Sequence, residues 1–235
     1  MRGSERDERS RLRHWHALSG LLPIGLFLVE HLVVNAKALS GEAAFERTVT
    51  FVDRLPFWAV IEIVFVLAPL VFHAGYGVVL LLDKKSASDS PYTPNWRLVT
   101  RGAAWIALVF IAYHVYALRV PRWTSGVSAS AMHTVLTAHL SGATGSASGV
   151  AMPWMAIFYL LGIAATILHF AAGTWGFLVR AKHVTTPSAI RRAAIASGAL
   201  GAVLFALASI TVISLASGAP VFPPPPPKEA CPPPT

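Results

Sequence analysis

Five long apolar stretches of this chain, residues 17–36, 55–82, 102–118, 150–179 and 193–219, contain no Lys or Arg. That pattern limits the fold more than any motif does. A bilayer core about 30 Å thick takes roughly 20 helical residues, with about 17–25 as the working range. All five stretches qualify, the third at the short end. Helices satisfy their own backbone in lipid, and the alternation of a barrel strand is absent. The chain therefore reads as all-α, a polytopic membrane protein with five transmembrane helices. Composition agrees. Apolar residues make up 54% and charged residues 13% of the chain, about half the usual charged share of a soluble domain. Disorder is excluded for most of the chain, and an ordinary soluble globule is disfavoured. The excess of Lys and Arg lies between apolar runs rather than in one patch, so membrane lipid is the expected partner and nucleic acid is not. The single cysteine, Cys231, allows no disulfide within the chain, no thiolate cluster and no thioether haem attachment.

Orientation follows from the basic residues. Arg2, Arg6, Arg9, Arg11 and Arg13 precede the first stretch. Lys84, Lys85, Arg97 and Arg101 join the second to the third, and Arg180, Lys182, Arg191 and Arg192 join the fourth to the fifth. Thirteen of the 19 Lys and Arg residues thus share one side. The positive-inside rule makes that side the cytoplasm and puts the C-terminus outside. Residues 1–16 form a cytoplasmic segment too charged for a signal peptide, so the first helix is expected to be retained. Residues 17–219 form the membrane domain. Residues 220–235 (PVFPPPPPKEACPPPT) form an extracytoplasmic polyproline-type tail. On the outer side, residues 128–140 place Met132, Val135, Leu136, His139 and Leu140 at helical spacing. A short amphipathic helix on the outer surface fits, with His133 and His139 as surface residues. The Ser- and Gly-rich residues 124–128 and 141–149 read as loop.

Four histidines lie in four successive apolar stretches: His31, His73, His114 and His169. A single one is readily explained as a core residue bonded to a neighbour. One in each of four spans is not, because ionisable groups in spans are costly and mark function. At a rise of about 1.5 Å per residue, His31 and His114 fall about 6–7 Å outside the middle of their helices. His73 and His169 fall a few Å on the cytoplasmic side. Helices one and three are diagonal in an up-down bundle, as are two and four. Each pair can clamp one planar group from both faces. Two imidazoles about 4 Å apart suit the axial positions of a haem iron, whereas zinc or copper wants three or four ligands at one level. Gly77, Gly173 and Gly176 share helix faces with His73 and His169 and leave room for a porphyrin. With both axial positions filled, the chemistry is electron transfer, and without cysteine motifs the haems are b-type. The reading is a haem-binding four-helix core plus a fifth helix.

Several runs carry a family resemblance: LSGLLPIGLFLVEHLVVN at 18–35, LPFWAVIEIVFVLAPLVFHAGYG at 55–77, Asn95–Trp96, and ATILHFAAGTWGF at 165–177. Together they resemble the di-haem cytochrome b membrane anchor of succinate:quinone oxidoreductases and fumarate reductases, the type with a single five-helix anchor. The resemblance covers roughly residues 11–215 and all four histidines. Ala17 stands where the family pattern has Ser, a departure at one propionate hydrogen bond. The resemblance implies a bacterial cytoplasmic membrane protein without catalysis of its own, working with a flavoprotein subunit and an iron–sulfur subunit. It implies two b haems, with His73/His169 on the inner and His31/His114 on the outer one, and a quinone acceptor, menaquinone being favoured.

Haem propionates are anions that reach toward the membrane surface, and Arg180, Lys182, Trp96 and His16 are the candidates at the inner haem. Glu62 and Glu30 are the carboxylates inside the spans. A buried carboxylate exchanges protons near neutral pH, so both are candidates for quinone protonation at an outer site. The alternatives are the anchor of a fumarate reductase, a di-haem quinone cytochrome of another oxidoreductase, a redox-silent tether and a histidine proton relay. Homo-oligomerisation of the complex is left open by the sequence.

Overall fold

The computed structural model describes residues 2–83, 93–142 and 154–222, and within them the chain is helical without a strand. Lys84, Lys85, Val150, Lys228, Cys231, the loop residues 143–149 and the tail beyond Phe222 lie outside the described residues. Five helical runs are long and apolar enough to cross a membrane: Glu8–Ser40, Trp58–Leu82, Pro94–Thr124, Trp154–Arg180 and Pro187–Ser217. The fold is that of a multi-pass membrane protein. The runs outlast the apolar stretches that announce them, most clearly the third. A helix continues past its apolar part because its backbone bonds do not depend on side-chain polarity. Pro94 opens the third run, and the Thr93 side chain caps it by accepting from the Trp96 N–H.

Prolines divide three of the spans. The first consists of α1 (Arg2–Leu21) and α2 (Pro23–Asn35), broken at Leu22, because the Pro23 ring cannot donate to the Ser19 carbonyl. The second consists of α4 (Trp58–Ile61), a π-helical stretch Glu62–Leu67 and α5 (Ala68–Leu82). The third consists of α6 (Pro94–His114), a π-helical stretch Val115–Arg119 and α7 (Val120–Thr124). Both π-helical stretches end two residues before a proline, Pro69 or Pro121. The widened turn gives the ring room against the preceding carbonyls. The fourth and fifth spans, α9 (Trp154–Arg180) and α10 (Pro187–Ser217), are unbroken.

The first span packs on the second, fourth and fifth, the third packs on the fourth, and the fourth packs on the fifth. The first and third spans therefore face each other across a diagonal, as do the second and fourth. Small residues bring the backbones together. A Cβ on Gly162 of α9 would fall 2.2 Å from the Phe110 ring of α6, and one on Gly201 of α10 would fall 3.1 Å from Ala171. No residue of the second span is fully buried, whereas α9 and α10 each bury a continuous row.

One end of the bundle is capped. After the 3₁₀ turn Ala36–Ser40 the chain enters α3 (Glu42–Asp53), a helix the sequence reading did not anticipate. Opposite lies α8 (Met132–Leu140), the expected amphipathic helix, with Met132, Leu136 and Leu140 buried at successive fourth positions. Phe45 of α3, 2% exposed, joins these residues with Ala38, Phe110, Tyr159, Val212 and Leu215 in one apolar core. The Phe222 N–H donates to the Leu39 carbonyl at 2.7 Å, tying the chain beyond α10 to the same cap. The opposite end carries α1 and, among the described residues, the turn from α9 to α10 with Arg180 and Lys182.

Candidate functional site

His73 projects from α5 toward the end of the bundle that carries the N-terminus. Its Nδ1 lies 2.9 Å from the His16 carbonyl oxygen. A carbonyl only accepts, so Nδ1 carries the proton and Nε2 keeps its lone pair. Ser19 donates to the same carbonyl at 2.9 Å and lies 3.4 Å from His73 Nδ1. Gly20 completes the seat, since a Cβ there would fall 2.4 Å from His73 Cε1. The His16 ring stacks on the His73 ring at 4.1 Å and 9°. His169 of α9 faces His73 from the diagonal helix, with ring centroids 6.0 Å apart at 74°.

Toward the capped end, His31 of α2 faces His114 of α6, with centroids 5.8 Å apart at 88°. Aromatic rings enclose this pair. Phe27 lies 5.3 Å from His31, and Phe110 and Tyr159 each lie 5.8 Å from His114. His114 Nδ1 is buried and has no hydrogen-bond partner among the described residues. The Asn35 side chain donates to the His31 carbonyl at 2.7 Å.

Each pair thus joins two diagonal spans whose main packing partners are other helices. Among the described residues, no group of three or more His, Cys, Asp or Glu side chains converges as a metal site. A ring separation near 6 Å is what two imidazoles need when each nitrogen sits about 2 Å from one shared metal. The seated Nδ1–H of His73, the orphaned nitrogen of His114 and the open space beside Gly173, where a Cβ would meet nothing within 4 Å, fit a planar group held from two sides. Gly77 requires a correction. The space it opens is taken by His16, whose Nε2 would lie 3.2 Å from a Cβ there.

The other sequence candidates divide. His16 stacks on His73 at the His73/His169 pair, and Arg180 ends α9, the helix that carries His169. Lys182 is exposed, in a left-handed conformation (φ 57°) in the turn after α9. Trp96 is 43% exposed in the first turn of α6. Glu30 is exposed on α2 beside His31 in sequence. Glu62 is ion-paired with Arg119, which also lies 5.1 Å over the Trp123 ring. Arg122 pairs with Asp53 nearby. The two π-helical stretches present Glu62 and Arg119 to each other.

His139 requires a second correction. The sequence assigned it to the surface, but its Nε2 lies 3.1 Å from the Tyr159 hydroxyl and its ring lies 6.0 Å from that of Tyr113. Burial holds its pKa below the usual histidine value. His133 is also drawn in, 3.9 Å from Glu42 and against Phe45. Sequence reasoning missed Arg119, Tyr159, Ser19 and Gly20. Two signals were present: Arg119 beside Pro121 at the end of an apolar run, and a Ser-Gly pair one helical turn after His16.

Fold and site define a class: a multi-pass helical membrane protein whose spans carry two facing histidine pairs at two levels. The sequence is 35% identical to the succinate dehydrogenase cytochrome b558 subunit of Bacillus subtilis (strain 168) over 182 residues, 76% of this chain and 83% of that protein. The chain belongs to the family of succinate dehydrogenase cytochrome b membrane subunits. No protein-family model and no solved structure matches it. Membership in a cytochrome b family implies haem, and membership in the complex implies further subunits.

Proposed function

We propose that this chain carries electrons from an iron–sulfur subunit of a succinate dehydrogenase to a membrane quinone, menaquinone by preference, through two b haems. The observation that supports this best is the pairing of His73 with His169 and of His31 with His114 at two levels of the bundle. A b-type haem held between such a pair would supply one-electron transfer. The end carrying the N-terminus, with its excess of arginines, is the cytoplasmic end. There His73 and His169 would hold the inner haem, and His16, Arg180, Lys182 and Trp96 are the residues that would meet its propionates. His31 and His114 hold the outer haem inside an aromatic enclosure that excludes water. The Glu62–Arg119 pair stands at the outer end of the second and third spans. There Glu62 is the carboxylate placed to hand protons to quinone, and exposed Glu30 is the weaker candidate.

The test is redox titration of haem absorption in the purified complex. Two b haems per chain are expected. His73→Ala or His169→Ala should remove one, and His31→Ala or His114→Ala the other. Two haems surviving in any of these variants would sink the ligand assignment. Glu62→Gln in the same complex should slow quinone turnover while haem content and succinate–dye activity stay unchanged. Normal quinone turnover would leave Glu62 as a structural partner of Arg119.

A further inference from the structure

One further histidine, His139, reaches the outer pair by way of Tyr159. Tyr159 of α9 is 4% exposed, with its ring 5.8 Å from His114 and 5.2 Å from Phe110. Phe110 in turn is pressed onto Gly162, so the Tyr159 ring has little freedom to turn. A buried phenol needs a partner for its hydroxyl. That partner is His139 Nε2 at 3.1 Å, delivered by α8, which is not part of the membrane bundle. The Tyr113 ring lies 6.0 Å from His139 at 25° and fixes the imidazole from its other side. Contact thus runs from the surface helix through Tyr159 to His114, whose Nδ1 has no partner to orient it.

Metal-bound imidazoles are usually oriented by a hydrogen bond at the second nitrogen. At His114 ring packing has to do that work. We propose that His139 and Tyr159 are positioning residues for the outer haem: α8, through the His139–Tyr159 hydrogen bond, holds the Tyr159 ring against His114 and so fixes the plane of that ligand. The inference rests on the reading of His31 and His114 as haem ligands. It adds that a helix outside the membrane tunes one haem and not the other.

The readout is the low-spin ferric electron paramagnetic resonance spectrum of the intact complex, which is sensitive to the relative orientation of two axial imidazole planes. Tyr159→Phe removes the hydroxyl and keeps the ring, His139→Leu removes the acceptor, and His139→Gln keeps a hydrogen-bonding group. The outer-haem signal should shift in Tyr159→Phe and His139→Leu, stay near the native position in His139→Gln, and leave the inner-haem signal unmoved throughout. Should Tyr159→Phe fail to assemble, the two His139 variants decide alone. Two haems with an unmoved outer signal in His139→Leu would overturn the inference, as would equal shifts in both haem signals. Loss of the outer haem in His139→Gln and His139→Leu alike would overturn it too, by making α8 a structural prop. Absence of haem from the unaltered complex would instead overturn the ligand reading beneath it.

Discussion

The two histidine pairs sit in the same bundle but are held by different means. At the inner pair, His73 is fixed by polar contacts: its Nδ1 meets the His16 carbonyl at 2.9 Å, Ser19 stands at 3.4 Å, and the His16 ring is stacked on it. At the outer pair, His114 has an unpartnered Nδ1 and is wedged between Phe110 and Tyr159. The difference follows from what surrounds each level. The inner pair lies beside the last turns of α1, where the His16 carbonyl and the Ser19 hydroxyl are turned toward His73. The outer pair lies under the capped end, where α3 and α8 close an apolar core and few polar groups are within reach. A hydrogen bond fixes one ring nitrogen directly. Packing fixes a ring only as well as its neighbours are fixed, so the outer pair should depend on residues farther away.

The largest effect expected from this contrast is at Gly20. A Cβ there would overlap the His73 ring, 2.4 Å from Cε1, so Gly20→Ala must push the imidazole out of its seat. Gly20→Ala should cost the complex one b haem of two, the inner one, while the outer haem keeps its spectrum. Retention of both haems, by pyridine haemochrome assay and redox titration, would show that His73 does not need this seat.

A smaller effect, spread over the capped end, is expected from Phe45→Ala. Phe45 is the large side chain most completely buried among the described residues, and it lies in α3 outside the spans. Truncating a buried Phe typically costs about 3–5 kcal/mol. Thermal unfolding of the purified complex should begin earlier, and the outer haem should be released before the inner one. Release of both haems together would remove the distinction between a packed and a bonded pair.

The sequence carried the spans and the pairing because both rest on local signals. Apolar run length announces a span, and the depth of His31, His73, His114 and His169 within their spans says which can meet. It did not carry the supports. The stacking of His16 on His73 joins α1 to α5, and the His139–Tyr159 bond joins α8 to α9. Such contacts depend on how helices distant in sequence are set against each other. Glu62 was visible as a carboxylate in a span, but Arg119 as its partner depends on two proline-induced π-helical turns facing each other. Helix α3 was hidden for a different reason. Its apolar residues Phe45, Val49 and Val52 do recur at helical spacing, but they are few and set among charged residues between two spans. Amphipathic α8, with three apolar residues on one face, was legible, and that pattern included His139; assigning the histidine to the surface went against it.

The smallest effect expected is a pH dependence confined to the outer support. Burial lowers the pKa of His139 below 6.5 in the folded protein. The groups packed around it are the hydroxyl-bearing rings of Tyr159 and Tyr113, and the carboxylate of Glu42 stands with His133 instead. No anion is thus placed to favour the charged imidazole. Below about pH 6.5 the unfolded chain takes up a proton at this residue that the folded chain resists, so stability falls with pH from 6.5 down to the lowered folded value. Above that window the contribution is fully present and constant. Protonation leaves Nε2–H only able to donate to the Tyr159 oxygen, so the hydroxyl must turn its own hydrogen away and the contact against His114 is rearranged over the same drop in pH. The unfolding midpoint of the complex should therefore decline more steeply on acidification than that of the His139→Gln complex, and the outer-haem signal should broaden over the same range while the inner one does not. Parallel pH profiles for the two complexes would show that α8 supports the outer pair by its apolar row of Met132, Leu136 and Leu140 alone.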